Sequence, residues 1–278
     1  MLAHLPERVE EWEGRLRLKG LKLVEGLSYN LGFYGETLAG RPVVLKAAPE
    51  SKALASEAAA LQGFGPDRAA AVIEARLDEG LLVTERLLPG TQLSRIATER
   101  EALNTVVRLF SNGWPAPDPL VVDDVAAFTR SLDRLPDTSG ALNPGLMREA
   151  MDVRRALLAD PAEARLLHGD LHYGNILADE RRGFRLIDPK GLRGDPLFDL
   201  GYLVSRVQPL GSDALPLGRA VALRLDVLVG AFGCESKRLA AWSFVAAALS
   251  AIWTVEDHGH VSDDEIDVLK QLGRHLQG

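Results

Sequence analysis

The period of the hydrophobic pattern changes along the chain and divides it into two parts. Near the start of the sequence, apolar residues recur at helical spacing: Leu5, Val9, Trp12 and Leu16. This spacing predicts an amphipathic helix. From residue 22 to residue 46, short apolar runs alternate with glycines instead, which is typical of strands and hairpins.

A helix and a second pair of strands complete the first part. Ser51 is a good N-cap and precedes apolar residues at helical spacing, so we expect a helix that runs to about Gln62. The apolar runs Ala71–Ala75 and Leu81–Thr84 flank a polar turn and predict two more strands. Residues 1–87 should therefore form a small β-rich lobe.

After residue 87 the sequence is mainly helical. Pro89-Gly90 interrupts the strand pattern. Helical apolar spacing then appears in the segments 99–112, 123–135, 145–158, 218–232 and 237–255. The segment 165–186 is different, since short apolar runs flank turn residues there and predict a hairpin. Residues 88–278 should form a larger helical lobe, and a cleft between two lobes is a natural small-molecule site.

The predicted hairpin carries the most informative polar residues. It contains the run LHGDLHYGN, in which Asp170 and Asn175 are five positions apart, and Asp188 follows Asn175 by thirteen positions. Phosphoryl transfer needs a carboxylate that orients the attacking hydroxyl group, and hard oxygen ligands that hold Mg²⁺ against the phosphates. A loop and the far arm of its hairpin can bring all three side chains together. Each residue alone is often only a turn residue, but the combination predicts a phosphoryl-transfer site.

The motif HGDxxxxN resembles the catalytic loop of the aminoglycoside phosphotransferase-like kinases, relatives of protein kinases in which Gly replaces the Arg of HRD. The run DPKGLRGDPLFDL, which begins at Asp188, is similar to the branch of streptomycin 6-kinases and hydroxyurea phosphotransferases. The resemblance covers most of the chain. It implies a protein-kinase-like, bilobal α+β fold and transfer of phosphate from ATP to a small-molecule hydroxyl group, with Mg²⁺ as cofactor. GTP remains an alternative donor.

The resemblance implies a role for each matching residue of the catalytic region. Asp170 is the general base, and Asn175 and Asp188 are the magnesium ligands. His168 and Asp199 support the catalytic loop, and Asp199 does so by accepting backbone hydrogen bonds. These roles describe a kinase active site with all of its catalytic groups present.

The resemblance also implies a nucleotide site in the first lobe. Lys46 pairs with the α- and β-phosphates, and Glu57 holds Lys46. An ordinary exposed lysine is the alternative for Lys46, since most lysines are exposed. A solvated helix glutamate is the alternative for Glu57, because Glu57 follows Lys46 by only eleven positions. The adenine edge pairs with backbone groups near Glu85 and Leu87.

The segment Gly26–Gly32 is the candidate phosphate loop. Its backbone amides and the side chains of Ser28 and Asn30 are suited to phosphate oxygens. An ordinary glycine-rich hairpin is the alternative. The sequence lacks GxxxxGK[ST], which excludes a P-loop NTPase.

Composition limits the partners and the location. The chain has 278 residues, 46% of them hydrophobic, and a net charge of −7 without a basic stripe. An acidic protein is a poor partner for nucleic acid and suits a cationic small molecule. The most apolar stretch, Ala240–Val255, is too short for a bilayer and predicts a buried helix. The first residues lack an apolar core, so we expect a cytoplasmic protein without signal peptide or membrane segment. The oligomeric state stays open.

An aromatic residue and two acids near the C-terminus suggest where the acceptor binds. Trp253 can stack on a cation or a sugar face, and Glu256 and Asp257 can pair with ammonium or guanidinium groups. A solvated helix end is the alternative. With the resemblance, this cluster favours an aminoglycoside such as streptomycin as the acceptor. The alternatives are a kinase for an ordinary metabolite, an amino alcohol or a sugar, and a pseudokinase, which the intact catalytic set disfavours.

Overall fold

The computed structural model describes residues 5–24, 31–48, 51–119, 121, 123–133, 142–206 and 215–277. In these residues the N-terminal lobe is an antiparallel sheet of five strands in the order β1-β2-β3-β5-β4. Its strands are β1 (Leu18–Val24), β2 (Leu31–Thr37), β3 (Pro42–Ala47), β4 (Val72–Arg76) and β5 (Leu81–Glu85). The predicted strands are confirmed, and the first begins four residues earlier than expected.

Two helices pack against this sheet. Helix α1 (Leu5–Leu16) places Trp12 edge-on to Phe33 of β2, with ring centroids 5.7 Å apart. Helix α2 (Ser51–Phe64) buries Leu54 against Leu82 of β5 and extends two residues beyond the predicted end. These apolar contacts hold α2 against β5. Because Leu82 of β5 is paired with Lys46 of β3, a side chain of the helix can reach Lys46.

Two small sheets flank the predicted catalytic loop. Strands β6 (Pro89–Gln92), β8 (Ile176–Asp179) and β9 (Gly183–Leu186) form one sheet. Strands β7 (Arg165–Leu167) and β10 (Leu192–Gly194) form the other. The expected hairpin is therefore the β8–β9 pair, while β7 pairs with a strand that lies beyond it in the sequence. The loop from His168 to Asn175 connects the two sheets.

Helices form the rest of the C-terminal lobe. In the part of the chain that the structure describes they are α3 (Leu93–Ile96), α4 (Glu99–Leu109), α5 (Val125–Phe128), α6 (Pro144–Ala159), α7 (Pro196–Ser205), α8 (Leu217–Phe232), α9 (Ser236–His258) and α10 (Asp263–Gln277). The lobe boundary after residue 87 falls between β5 and β6 and stays a prediction.

Helix α9 is the centre of this lobe. It is the one helix among the described residues that is long and apolar enough to cross a membrane, but 72% of its most apolar window is buried inside the protein. Helices α6, α7 and α10 cover it. The prediction of a buried core helix is confirmed.

The predicted helix over 123–135 is wrong in extent. The α-helix α5 ends at Phe128, and a 3₁₀ segment, Thr129–Asp133, follows. The buried guanidinium group of Arg154 donates to the carbonyl of Ala126 at 2.7 Å and to the hydroxyl of Thr129 at 2.6 Å. Because these bonds satisfy polar groups at the end of α5, an α-helical continuation is not needed to pair them.

Candidate active site

A buried carboxylate supports the catalytic loop from below. Asp199, on α7, accepts hydrogen bonds from the backbone N–H groups of His168 and Gly169, both at 2.8 Å, and from the indole N–H of Trp114 at 2.9 Å. The side chain is completely buried. Burial raises the pKa of Asp199 to about 6, and the three donors oppose this effect by favouring the ionised form. Asp199 thus holds the backbone of the loop just before Asp170.

His168 connects the loop to the strand that leads to Asp188. Its Nδ1 atom accepts the backbone N–H of Asp170 at 3.2 Å, and its Nε2 atom lies 2.9 Å from the carbonyl oxygen of Ile187. Nδ1 is therefore the unprotonated nitrogen, and Nε2–H donates. Burial lowers the pKa of His168 to about 4, so the ring is neutral at pH 7. The ring thus links the loop to the residue before Asp188, and its predicted role in supporting the loop stays a prediction.

Asp170 is held by its neighbours but stays accessible. The amide nitrogen of Asn175 donates to the backbone carbonyl of Asp170 at 3.0 Å and to its carboxylate at 3.3 Å. The ring of His172 lies 3.8 Å from the other carboxylate oxygen. The Asp170 side chain is 22% exposed. A carboxylate with a restricted orientation and an open face is what a general base for a bound hydroxyl group requires.

Tyr202, also on α7, is a neighbour of Asp170 that the sequence analysis missed. Burial raises the pKa of Tyr202, and the negative charge of the nearby Asp170 carboxylate raises it further. Asp199 and Tyr202 are three positions apart and so lie on one face of the helix. This spacing was the available signal, but it has meaning only if residues 196–205 are helical. The sequence did indicate a helix there, because Asp195 followed by Pro196 is a typical start of a helix.

A second cluster spans the cleft between the lobes. The ammonium group of Lys46 lies 2.5 Å from the carboxylate of Glu57 and 2.6 Å from that of Asp188. Burial by itself lowers the pKa of Lys46, but the two carboxylates outweigh it and raise the pKa above its ordinary value. Glu57, in turn, has its pKa raised by burial. The cluster joins β3, α2 and Asp188, the second residue after β9, at one point.

Asp188 has an unusual backbone. Its φ is +57°, in the left-handed region that residues with a side chain adopt rarely. That conformation costs roughly 1–2 kcal/mol, and the surrounding contacts must hold it. Here the neighbouring residue Ile187 is fixed on both sides, by His168 and by the backbone of Asn175, whose carbonyl accepts the Ile187 N–H at 3.0 Å. The strained residue therefore presents its carboxylate to the cleft.

Asn175 and Asp188 suit a magnesium ion in their chemistry. Both carry hard oxygen donors, and the amide nitrogen of Asn175 is already turned to Asp170, which leaves its oxygen as the ligating atom. Within the described residues, no group of three or more His, Cys, Asp or Glu is arranged for a metal. A site with few protein ligands is usual for Mg²⁺, which takes further oxygens from water and from substrate phosphates.

The cleft beside this cluster has apolar walls from both lobes. It contains about 750 Å³ of empty space, a volume that includes open solvent. Val44 lines it from the sheet, and Leu177 and Ile187 line it from the C-terminal lobe. Lys46 and Asp188 also line it. The cleft therefore combines an apolar slot for a flat base with charged groups for phosphates.

Glu85 is the last residue of β5, Leu87 lies between β5 and β6, and both line the cleft. The Glu85 carboxylate accepts the backbone N–H of Ala71 at 2.8 Å and pairs with Arg182 at 2.7 Å and Arg41 at 3.1 Å. Leu87 is buried in the core. Both side chains thus have structural contacts, and the predicted use of their backbone groups for adenine stays a prediction. Ser28 and Asn30 lie outside the described residues.

Trp253, Glu256 and Asp257 lie in the last turns of α9. Trp253 is half-buried and packs edge-on against Phe128 of α5, with centroids 5.2 Å apart. Glu256 and Asp257 are exposed. The neighbouring Thr254 bonds to Glu265 of α10 at 2.8 Å. The contact with Phe128 gives Trp253 a packing function, and the acceptor-binding role of the three residues stays a prediction.

Comparison with known proteins identifies relatives over most of the chain. A sequence model of the family described as aminoglycoside/hydroxyurea antibiotic resistance kinase matches residues 31–258. The hydroxyurea phosphotransferase of Kitasatospora aureofaciens is 32% identical over 238 residues, 82% of this chain and 66% of that protein. A streptomycin 6-kinase of Streptomyces glaucescens is 31% identical over 213 residues, 69% of this chain and 64% of that protein. The chain thus aligns with slightly less than two thirds of the length of each relative.

The solved structures define the fold. A thermostable mutant of aminoglycoside phosphotransferase APH(4)-Ia, in a ternary complex with ADP and hygromycin B, superimposes with a TM-score of 0.67. The match covers 99% of this chain and 98% of that one, at 13% sequence identity. The predicted protein-kinase-like fold, with a β-rich N-terminal lobe and a helical C-terminal lobe, is confirmed.

Proposed function

Because this chain belongs to the aminoglycoside/hydroxyurea antibiotic resistance kinase family, we propose that it transfers the γ-phosphoryl group of ATP to a hydroxyl group of a small molecule. The observation that carries the proposal is the convergence of two clusters. Lys46 bonds to Glu57 and Asp188 across the cleft, while Asp170 is held by Asn175 in the adjoining loop. Positioned carboxylates and a phosphate-binding lysine are the parts that phosphoryl transfer needs.

Asp170 acts on the acceptor. The acceptor hydroxyl oxygen forms a bond to the γ-phosphorus, the bond from that phosphorus to the β–γ bridging oxygen breaks, and the hydroxyl proton passes to Asp170. The hydrogen bond from Asn175 restricts the carboxylate so that it faces the hydroxyl group. Most of the rate then comes from positioning and charge stabilisation rather than from covalent chemistry on the protein.

Lys46, Asn175 and Asp188 act on the nucleotide. Lys46 contributes its charge to the α- and β-phosphates, and Glu57 keeps its side chain directed into the cleft. Asn175 and Asp188 would hold Mg²⁺. The ion supplies neutralisation of the phosphate charge when it is bound. The neighbour crystallised with ADP supports an adenine nucleotide, and GTP is the alternative donor.

Streptomycin is the acceptor that we propose to test first. The similarity to a streptomycin 6-kinase and the net charge of −7 both favour a cationic aminoglycoside. Hydroxyurea is the second candidate, because a hydroxyurea phosphotransferase is similarly related. We place the reaction in the cytoplasm, where ATP is available. In this proposal Trp253, Glu256 and Asp257 contribute to the acceptor pocket.

A phosphorylation screen tests the function. The protein is incubated with Mg-ATP and, separately, with streptomycin, hydroxyurea, an amino alcohol and a sugar, and products are identified by mass spectrometry. We expect streptomycin to gain one phosphoryl group, and Asp170→Asn to abolish the product. Phosphorylation of the amino alcohol or sugar instead would identify a metabolite kinase. Nucleotide binding without transfer to any acceptor would refute the proposed phosphotransferase activity and favour a pseudokinase.

The acceptor pocket has its own test. The double variant Glu256→Gln and Asp257→Asn should raise the KM for streptomycin, most strongly at low salt, and leave the KM for ATP unchanged. The control is Asp267→Asn on α10. It also removes an exposed carboxylate, but one whose partner is Lys270 on the same helix. An unchanged KM for streptomycin in the double variant would remove both acids from the pocket.

A further inference from the structure

Lys190 lies directly beside the catalytic loop. Its backbone N–H donates to the carbonyl of His168 at 2.7 Å. A Cβ atom placed on Gly169 would lie 3.1 Å from the Cβ of Lys190, and Gly169 has a φ of +78°. Gly169 is the residue before Asp170. The side chain of Lys190 therefore starts next to the general base and, with its flexible four-carbon stem, can reach over the cleft.

The ammonium group of Lys190 is available. The side chain is exposed, and in the described part of the chain it has no hydrogen bond or ion pair. Lys46, by contrast, is buried and bonds to two carboxylates. An unpaired lysine in a region that already contains Asp170 and Asp188 is a cation without a fixed anion, and so it is free to bind one.

The charge of Lys190 acts on both ends of the site. Burial raises the pKa of Glu57 and lowers the pKa of His172. The charge of Lys190 is a smaller influence, and it lowers both pKa values. Glu57 belongs to the cluster around Lys46, whereas His172 lies beside Asp170. The charge of Lys190 therefore acts on a group in each cluster.

The proposed reaction moves a phosphoryl group between these two ends. We propose that Lys190 is a catalytic residue whose ammonium group contacts the transferring phosphoryl group, an inference that rests on the proposed kinase function. When the bond to the acceptor oxygen forms and the bond to the β–γ bridging oxygen breaks, charge is spread over the three equatorial oxygens of that group. Lys190 stabilises this charge, while Asp170 takes the hydroxyl proton.

The test separates binding from the reaction. Lys190→Met should lower kcat by about 10²-fold, the usual cost of one group that stabilises transition-state charge. The KM for ATP and the Kd for Mg-ADP should each change less than about threefold, since the contact forms mainly in the transition state. Lys190→Arg should retain more activity than Lys190→Met. The matched control is Lys237→Met, which removes another exposed lysine at the start of α9.

A second readout does not depend on turnover. Calorimetry measures the Kd for Mg-ADP with and without aluminium fluoride, an analogue of the transferring group. We expect aluminium fluoride to tighten binding to the intact protein and to Lys237→Met, and this gain to be lost in Lys190→Met. Equal effects of aluminium fluoride on the intact protein and on Lys190→Met would overturn the inference, as would a kcat of Lys190→Met within about threefold of the intact value.

The two proposals fail in different ways. An intact protein that binds neither Mg-ADP nor Mg-ATP would overturn the kinase function and the role of Lys190 together. If the intact protein and Lys190→Met phosphorylate an acceptor at equal rates, only the proposed role of Lys190 would be overturned. A parallel rise in the Kd for Mg-ADP and fall in kcat would make Lys190 a ground-state nucleotide ligand and would also refute the inference.

Discussion

Replacement of Asp199 by asparagine should damage the catalytic loop more than the fold. The carboxylate of Asp199 is completely buried and accepts three N–H groups, two on Oδ2 and one on Oδ1. In Asp199→Asn the amide nitrogen is least harmful at the position of Oδ1, where it faces the backbone N–H of Gly169. That bond is lost, and a donor then opposes a donor.

The magnitude follows from this geometry. A hydrogen bond to a charged group contributes about 1.5–3 kcal/mol, and a buried donor without a partner costs about 1–3 kcal/mol. The bonds from His168 and Trp114 remain but weaken, because a neutral acceptor forms bonds roughly half as strong. Removal of the buried charge offsets part of this loss, because burial raises the pKa of Asp199 to about 6. We expect Asp199→Asn to lower the free energy of unfolding by about 1–3 kcal/mol, measured by urea denaturation at pH 7.5.

Asp195, the N-cap of the same helix, offers a matched control. Its carboxylate is also buried and accepts three N–H groups, from Leu197 at 2.9 Å, Arg238 at 2.8 Å and Trp242 at 2.8 Å. These partners are on α7 and α9, not on the catalytic loop. Asp195→Asn should therefore lose comparable stability but retain the geometry around Asp170.

The assay compares the two variants under conditions in which both are folded. We expect kcat to fall at least about 10-fold in Asp199→Asn and less than about twofold in Asp195→Asn, because a small displacement of a catalytic group has a large effect on rate. Amide hydrogen exchange at His168 and Gly169 should accelerate only in Asp199→Asn. A wild-type kcat in Asp199→Asn, or an equal loss of kcat in both variants, would refute the bracing role.

Three further predictions address the pH dependence, the nucleotide and the base. The pKa of His168 is lowered from 6.5 to about 4, so the unfolded chain binds this proton more tightly, and the stability from this group, present above pH 6.5, is lost as pH falls towards 4. His168→Asn should remove that loss, about 3 kcal/mol, from the acid limb of stability measured by denaturation, and an unchanged limb would contradict the assignment. Lys46→Met should weaken Mg-ATP binding, measured by calorimetry. It should also lower the stability of the fold, because Glu57 and Asp188 lose the cation that pairs with them. An unaltered affinity for Mg-ATP would exclude Lys46 from the nucleotide site. Asp170→Asn should lower kcat by about 10²–10⁴-fold with little effect on Mg-ADP affinity, and a variant with near-normal kcat would exclude Asp170 as the base.

The sequence by itself determined the local elements and the chemical groups. Alternation and helical spacing located β3, β5, α2 and α9, because a side chain that must be buried recurs with the period of its own backbone. The spacing of Asp170, Asn175 and Asp188 indicated phosphoryl transfer, since this chemistry needs those groups within the reach of one loop and one hairpin. Helix α7 was missed because nearly all of its residues are buried, so that no polar face marks its period.

Only the tertiary structure decided which distant residues meet. Periodicity states that a face is buried but not which partner covers it. The bond between Lys46 and Asp188 joins residues 142 positions apart, and the bonds from Asp199 to the catalytic loop span about 30. The pairing of β7 with β10 places Lys190 against Gly169, and α7 places Tyr202 beside Asp170. These contacts depend on how the helices and sheets pack around α9, and packing is a property of the whole chain rather than of any segment.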